Sequence, residues 1–408
     1  MFCVWNEAES FANEAEQQLR QEFRMIRRFT VDWSPDFVSQ NFSRLYGVSP
    51  DVKTGKEITA GSGPFQLFLV EDESPVYALR EANSGRVEWQ NSRVTGMKEA
   101  LRLSSGRPDA YLVHSSNSAS EFWRDSQLIL GSELVFTSLG ELQYAHHDIY
   151  IGDLTGSRGW KSAAEFITFL NRTTEYVSLR PAPFSNQGVL SGGDFDFLVA
   201  KAQELSALAN AKSAVDNKYP WQVWTVIDGA PVMLDLREIG DGDLDESWQR
   251  QMLQSRCFNG VVYQPNDENY FFSLIHHLAT EKLIASSKHL PLLQTLALRL
   301  GVGGEQCALS DADLANLLVK WLKTHKYSIS THVRRVTDPD PIFLQAINAR
   351  ELLLRVSRDL RRLGASGRFL RLAVVGNPRR FIAFKRKVVR KVKQIIIEST
   401  RGKKLQAD

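Results

Sequence analysis

Two aspartates stand one residue apart at the start of an apolar run, in the stretch SGGDFDFLVA. In a β-strand, residues i and i+2 lie on one face, so the carboxylates of Asp194 and Asp196 project side by side and repel each other. A divalent cation relieves that repulsion, and Mg²⁺ (or Mn²⁺) is bound by carboxylates together with substrate phosphates. Gly192 and Gly193 carry no side chains, so a phosphate can approach the backbone amides just before the pair. The stretch therefore predicts a metal site that handles a phosphorylated substrate.

A third acid lies some forty residues later. Asp235 is in the middle of the strand-like run VMLDLRE, among apolar neighbours. An unpaired carboxylate in such a place is energetically costly, so it needs a partner. Three strand-borne acids with one or two metal ions suit phosphoryl-type transfer, in which one metal activates the acceptor and the other stabilises the leaving group. We predict that Asp194, Asp196 and Asp235 bind the metal and are the catalytic residues.

The elements that position these acids can be inferred from the hydrophobic pattern. SAAEFITFLN predicts a helix and TEYVSLR a strand before the aspartate pair, and FDFLVA predicts a strand followed by the helix KAQELSALANAK. The run WQVWTVIDGAPVMLDLRE predicts a β-hairpin, because two β-rich halves flank the turn pair Asp228 and Gly229. The runs DENYFFSLIHHLATEKLI and DADLANLLVKWLKTH predict two later helices.

This arrangement resembles the nucleotidyltransferase-fold superfamily, which includes the minimal nucleotidyltransferases and the polymerase-β-like enzymes. The resemblance rests on SGGDFDFLV and VMLDLRE and covers roughly residues 160 to 290. The longer series YVSLR, GGDFDFLV, LDLREIGDG and YFFSLIHH is similar to uncharacterised members in bacterial surface-polysaccharide gene clusters. The resemblance implies an α/β (α+β) fold with a nucleotidyltransferase-like mixed sheet and flanking helices. It also implies transfer of a nucleotidyl or polyol-phosphate group from a nucleotide-activated donor to a glycan or lipid-linked acceptor.

The sequence departs from the family pattern at the phosphate-binding element. Most members carry a Gly-Ser motif about ten residues before the aspartate pair, whereas here the glycines abut it. Arg180 and Arg237 are candidate substitutes, because arginine matches phosphate geometry with two parallel hydrogen bonds, and Lys201 is a third candidate. The alternative for the two arginines is a structural ion pair with the same acids. The acids of the run GDGDLDE predict a solvated loop, one member of which could join the metal shell: Asp241, Asp243 and Asp245.

An N-terminal α/β module precedes this region. Residues 7–29 predict an amphipathic helix, followed by a polar link to about residue 60. The strands FQLFLVED and AYLVHSSN then alternate with the helices GMKEALRLS and SASEFWRDSQLIL, the last opened by a serine cap. If the strands are parallel, their carboxyl ends bring together four polar residues that could bind a ligand: Glu71, Asp72, His114 and Asn117. A regulatory or docking role is the alternative.

These patterns divide the chain into four parts. We predict an N-terminal module at 1–135, a connector at 136–160, the nucleotidyltransferase-like domain at 161–295, and a helical, basic region at 296–408. No run of about 18 apolar residues predicts a membrane-spanning helix, and the N-terminus lacks the features of a signal peptide. Cys3, Cys257 and Cys307 are scattered, which favours a reducing compartment. We expect a cytoplasmic protein, in part peripheral at the inner face of the membrane.

The basic C-terminal tail leaves its partner open. Residues 379–393, RRFIAFKRKVVRKVK, mix apolar and cationic positions at near-helical spacing. An anionic membrane surface, nucleic acid and plain solvent exposure all fit that pattern. We favour the membrane surface over nucleic acid because a polysaccharide enzyme meets lipid-linked acceptors. Two other functions stay open: a toxin-like nucleotidyltransferase acting on RNA or protein, and a non-catalytic binding or assembly module.

Overall fold

A computed structural model describes residues 1–81, 87–140, 147–181, 193–213, 221–281, 289–302 and 311–328. The protein is a mixed α/β (α+β) protein whose described residues fall into two compact units. The first unit extends from the N-terminus to Leu274 and also contains helix α11 (Leu290–Arg299). The second unit contains the end of helix α10 (Asp267–Glu281) and helix α12 (Asp311–Thr324). None of the described helices is long and apolar enough to cross a membrane.

The first half of the first unit is built on one five-stranded sheet. Its strands run in the order β6-β1-β3-β2-β7, and a separate hairpin is formed by β4 and β5. The strands of this half are β1 (Phe2–Val4), β2 (Arg24–Asp32), β3 (Phe65–Glu71), β4 (Tyr77–Glu81), β5 (Val87–Asn91), β6 (Val113–Ser115) and β7 (His147–Ile151). Its helices are α1 (Ala12–Glu22), α2 (Val38–Leu45), α3 (Lys56–Ala60), α4 (Ser92–Ser104), α5 (Ala119–Leu130) and α6 (Ser132–Gly140).

The predicted helix over residues 7–29 is only partly correct. A 3₁₀ turn at Asn6–Phe11 leads into α1, and the chain then becomes the long strand β2. Burial alternates along the end of β2, where Phe29 and Val31 enter the core, and β2 pairs with β3 and β7. The local helical pattern is therefore overridden by strand pairing across the sheet. The predicted polar link likewise contains the end of β2 and the helices α2 and α3, and the predicted connector contains most of α6 and all of β7.

The strands of this sheet are mostly antiparallel, not parallel as the α/β pattern suggested. Only β2 and β7 are parallel neighbours, while β1 is antiparallel to both β3 and β6. Since β3 and β6 run in the same direction on either side of β1, Asp72 and Asn117 still lie at one edge. There Asn91 contacts both of them: its side-chain amide donates to the Asp72 carboxylate at 2.8 Å, and its backbone N–H donates to the Asn117 carbonyl at 2.8 Å. These polar groups bind one another and the start of α4.

The second half of the unit holds a mixed five-stranded sheet in the order β10-β11-β12-β9-β8. Strand β9 is parallel to β12, and the other neighbours are antiparallel. The strands are β8 (Tyr176–Ser178), β9 (Phe195–Val199), β10 (Lys212–Ser213), β11 (Gln222–Ile227) and β12 (Ala230–Glu238), with a small β13–β14 pair (Cys257–Phe258 and Tyr263–Gln264). The helices are α7 (Ala163–Thr173), α8 (Ala202–Leu208) and α9 (Glu246–Gln254).

The predicted elements of this half are confirmed, including the β11–β12 hairpin. Asp228 and Gly229 at its turn both have positive φ, 53° and 71°, as a tight two-residue hairpin turn requires. The helix and strand predictions before and after the aspartate pair correspond to α7, β8, β9 and α8. The predictions for the C-terminal tail, including those for residues 379–393, lie outside the described residues.

One hydrophobic core extends under both sheets of the first unit. It contains Trp5 and Phe29 from the first sheet, and Phe197 and Leu234 from the second. Buried polar groups also join the two halves, chiefly through Arg44 on α2. Its guanidinium donates to the carbonyls of Ala207 and Leu208 at the end of α8, and to two groups of the chain before α7, the Thr155 carbonyl and the Ser157 hydroxyl.

Candidate active site

Two of the predicted acids are direct neighbours across the centre of the second sheet. Strands β9 and β12 run parallel, and their register pairs Asp196 with Asp235. Paired residues on adjacent strands project to the same face, so the two carboxylates lie side by side. Asp194, two residues before Asp196, immediately precedes the strand.

The amino-acid pattern of the two strands explains why the acids share this face. In β9, Phe195, Phe197 and Val199 are buried and belong to the hydrophobic core, and Phe195 packs against Phe166 of α7 at 5.6 Å between ring centroids. Leu234 and Leu236 of β12 pair with Phe195 and Phe197 and belong to the same core. The alternate positions, Asp196 and Asp235, must therefore point to the opposite face of the sheet. Helix α9 contacts β8 and β9.

The aspartates form one electrostatic cluster with two arginines. The pKa of Asp196 is raised from its ordinary 3.8 to about 6, chiefly because burial disfavours its charged form. Arg180 and Arg237 lower it, while the like charges of Asp194 and Asp235 raise it further. Because such effects fall off with distance, the five groups lie near one another. The predicted acids and arginines are thus brought together, although they are separated by up to 57 residues in the sequence.

Arg237 forms ion pairs with acids on both sides of it. Its Nε lies 3.1 Å from Asp235 Oδ1, and its Nη1 lies 3.4 Å from Asp243 Oδ1. Both Asp235 and Arg237 are less than a tenth exposed, so the pair is held within the protein. The ion pair that we considered as the alternative role of Arg237 is therefore present. Asp243 is therefore a member of the GDGDLDE run that contacts Arg237.

The other two acids of that run have structural roles. Asp245 caps α9, where its carboxylate accepts hydrogen bonds from the N–H groups of Ser247 and Trp248, and these bonds help to lower its pKa. Asp241 accepts hydrogen bonds from the backbone N–H of Asp243 and from the side-chain amide of Gln249. Neither bond involves the aspartate cluster.

Arg180 stands between the aspartates and a cavity of about 340 Å³. Its Nη1 donates to the Leu179 carbonyl at 2.6 Å, whereas its buried Nε has no hydrogen-bond partner in the described part of the chain. The cavity walls also include Tyr270 and the apolar residues Val262 and Leu296, with Arg299 at the rim paired to Asp267 at 3.4 Å. None of the three predicted catalytic aspartates lines the cavity, so Arg180 is the link between the two.

Tyr270 was not predicted as a site residue from the sequence, where it is only part of a predicted helix. It is 4% exposed near the start of α10, and its pKa is raised to about 12, chiefly by burial. The charge of Arg180 lowers this pKa and that of Asp196 raises it, so the phenol lies close to both groups. A tyrosine on an apolar helix face gives no sequence signal of this kind, because its neighbours come from β8 and β9.

The structure gives less support to the predicted roles of the two glycines and Lys201. Gly192 lies outside the described residues, and Gly193 is exposed with a φ of 120°, a conformation that only glycine adopts readily. Lys201 is half-buried at the cap position before α8, two residues past the end of β9. Asp196 is near the beginning of the same strand, so Lys201 and Asp196 lie at opposite ends of it. The structure does not bring Lys201 to the cluster.

The chemistry of these residues suits a divalent cation, but their arrangement in the described part of the chain does not form a metal site. Three carboxylates are the oxygen ligands that Mg²⁺ prefers, and the pKa of Asp196, raised chiefly by burial, is raised further by the charges of Asp194 and Asp235, which a cation would offset. However, no group of three or more His, Cys, Asp or Glu side chains in the described ranges is arranged around a metal position. Arg237 occupies one side of Asp235 instead. Binding of a cation would require these carboxylates to converge and Arg237 to give way.

No protein-family model, curated protein or solved structure matches this chain.

Proposed function

We propose that this protein is a Mg²⁺-dependent transferase of the nucleotidyltransferase type. It would move a nucleotidyl or polyol-phosphate group from a nucleotide-activated donor to a glycan or lipid-linked acceptor. The observation that supports this proposal is the register of Asp196 and Asp235 on adjacent parallel strands, with Asp194 and two arginines in the same electrostatic cluster. Carboxylates and arginines together are what a site for a cation and a phosphate needs.

Each residue of the cluster has a role in this proposal. Asp194 and Asp196 would hold the divalent cation, which would stabilise the negative charge that develops on the transferred phosphoryl group. Asp235 would be a third oxygen ligand or would accept the proton of the acceptor hydroxyl. Arg237, whose Nε lies 3.1 Å from Asp235 Oδ1, would release Asp235 to the cation and neutralise a donor phosphate. Arg180 binds a donor phosphate, for which its buried Nε is available.

The cavity beside Arg180 is the proposed site for the rest of the donor. Its walls are apolar at Val262 and Leu296, and they also include the side chains of Asn259 and Gln264, which are joined by a hydrogen bond of 2.9 Å from Asn259 Nδ2 to Gln264 Oε1. The glycan or lipid-linked acceptor comes from the family resemblance. An anionic membrane surface that meets residues 379–393 remains a proposal from the sequence.

The test is a transfer assay on the full chain. Purified protein is incubated with Mg²⁺, radiolabelled nucleoside triphosphates or sugar and polyol nucleotides, and an extract that contains glycolipid acceptors. We expect labelled glycolipid, and we expect Asp196→Ala to lower the rate at least about a hundredfold without loss of the fold, because a ligand of the charge-stabilising cation is removed. Asp228→Asn is the matched control: it also removes an aspartate charge, but at the hairpin turn, where asparagine tolerates the positive φ. Equal rates in both variants would reject the proposal.

The same assay separates the alternative substrates. Cell RNA and total protein are added in parallel reactions with the same labelled nucleotides. Label on RNA or protein, with none on glycolipid, would assign a toxin-like nucleotidyltransferase with the same catalytic residues. Label on glycolipid alone supports the acceptor class that we propose.

A non-catalytic role is the second candidate, and the ion pairs of Arg237 favour it. Arg237 already forms ion pairs with Asp235 and Asp243, so the cluster can be a structural network without a cation. In that case, calorimetry with Mg²⁺ and nucleotides gives no heat of binding. Heat that disappears in Asp196→Asn supports the transferase instead.

A further inference from the structure

A second cavity lies in the first half of the same unit, away from the aspartates. It has a volume of about 240 Å³ and is lined by five residues: Tyr46, Thr54, Lys56, Arg102 and Tyr111. They come from three parts of the chain: the end of α2 and the loop after it, the start of α3, and α4 with the turn beyond it. Two of the five carry a positive charge and none carries a negative one.

The two cations share one aromatic ring. Lys56 Nζ lies 5.8 Å and Arg102 Cζ lies 4.9 Å from the centre of the Tyr111 ring. Tyr111 has a φ of 50°, an uncommon conformation for a bulky side chain. The carbonyl of Tyr111 accepts a hydrogen bond from Lys56 Nζ at 3.0 Å, which holds the turn and the ammonium together. These contacts therefore hold both cations against the Tyr111 ring.

Backbone carbonyls, and not carboxylates, are the hydrogen-bond partners of these cations in the described part of the chain, although the charge of Glu99 raises the pKa of Arg102. Lys56 and Arg102 form no ion pair there, and their hydrogen bonds go to backbone carbonyls: Lys56 to Ala110 and Tyr111, Arg102 Nε to Val113. Burial lowers the pKa of both side chains, and the charge of Arg102 lowers that of Lys56 further. An excess of positive charge is therefore held at a concave surface.

We infer that this cavity binds a small phosphomonoester. Two cations match the double negative charge that a phosphate monoester carries at neutral pH. The guanidinium of Arg102 can bind two phosphate oxygens at once, the ammonium of Lys56 supplies a point charge, and the hydroxyl of Thr54 adds a donor. The rings of Tyr46 and Tyr111 provide flat walls for the organic part of the ligand. The volume limits that ligand to roughly the size of a mononucleotide or smaller.

This site is independent of the proposed transferase activity. Its residues lie on α2, α3 and α4 and in the adjoining loops, whereas the aspartates lie on the second sheet. A phosphorylated small molecule bound here would be a separate ligand of the protein. A variant of Asp196 should therefore leave its binding unchanged.

The experiment is isothermal titration of the full chain with inorganic phosphate and with AMP. We expect AMP to bind more tightly than phosphate, because the tyrosine rings add contacts, and we expect Arg102→Met to weaken both at least about tenfold. Lys53→Met is the matched control, since it removes a lysine charge three residues from Lys56 on an exposed part of the same loop. Asp196→Asn serves as the second control and should bind as the wild type does.

The fold of each variant is checked by its thermal melting curve. If Arg102→Met melts early, Lys56→Met on the other side of the cavity takes its place, with the same expected loss. The inference is overturned if neither ligand binds the wild type, or if the cavity variants bind as tightly as Lys53→Met does. Loss of binding in Asp196→Asn alone would also overturn it, because the ligand would then occupy the aspartate site.

Discussion

At the scale of single residues, the unusual feature of this protein is a carboxylate held among other carboxylates. Asp196 is half-buried beside Asp194 and Asp235, and its pKa is raised to about 6. The sequence could predict that these acids share a face, because one lies two residues from another in a strand and the third lies in a second strand. It could not predict their register, since the pairing of β9 with β12 is set by the packing of Phe195 and Leu234 in the core.

The pKa of Asp196 predicts how stability depends on pH without divalent cations. Its pKa in the folded state, about 6, lies above the ordinary value of 3.8, so the folded protein binds the proton more tightly than the unfolded chain. The contribution of Asp196 to stability is full below pH 3.8 and is lost as the pH rises through 6, a change of the order of 2 kcal/mol. In EDTA, Asp196→Asn should therefore gain stability relative to wild type between pH 4.5 and 7.5.

Urea unfolding at the two pH values measures that change. Asp51→Asn, at an exposed position, is the control and should show the same pH dependence as the wild type. If Asp196→Asn shows the same pH dependence as the control, the carboxylate is not buried among like charges as described.

At the scale of elements, turns and helices were the most predictable part of the fold. The Asp228–Gly229 turn, the serine cap of α5 and the helix α7 all agree with local sequence signals. The strand β2 was not predictable in this way, because α1 ends at Glu22 without a glycine or proline, and strand pairing sets the conformation of the next nine residues. Local signals therefore define elements where they are strong, and pairing defines them elsewhere.

The hairpin turn offers a test of backbone conformation alone. A Cβ at Gly229 would meet no atom within 4 Å, yet the residue has a φ of 71°. Gly229→Ala should therefore destabilise the protein by about 1 kcal/mol through backbone strain, without any clash. Gly96→Ala is the matched control, because a Cβ there is equally unobstructed but lies within α4. It should stabilise by about 0.5–1 kcal/mol. If thermal unfolding shows that both substitutions stabilise the protein, or that both destabilise it, the assigned turn is contradicted.

Helix α2 contributes the residue that joins the two halves of the first unit. Arg44 is 1% exposed, and its guanidinium donates four hydrogen bonds to α8 and to the segment before α7. Arg44→Met should destabilise the protein by about 3–5 kcal/mol, because several buried oxygens lose their donors. Arg250→Met, which removes an exposed pair with Glu246, should cost less than about 1 kcal/mol. Urea unfolding that ranks the two variants equally would contradict the role of Arg44.

At the scale of the whole molecule, the division of the chain into four parts was predicted from local hydrophobic patterns. Such patterns do not show that the two sheets share one core, because the contacts of Trp5 and Phe197 with a common cluster are long-range. They also do not show that Tyr270 and Arg180 meet beside Asp196, since these residues come from α10 and from the end of β8. The sequence alone predicted the aspartates as candidate metal ligands. The residues around them could be identified only from the fold.

The central claim is that the three aspartates bind a divalent cation. Isothermal titration with Mg²⁺ at pH 7.5 tests it most directly on the wild type, Asp196→Asn, Asp235→Asn and the exposed control Asp51→Asn. We expect one site in the wild type and the control, loss of binding in the two site variants, and weaker binding at pH 5.5, where protonation of Asp196 competes with the cation. Absence of Mg²⁺ binding to the wild type, or equal binding in all four proteins, would contradict the account.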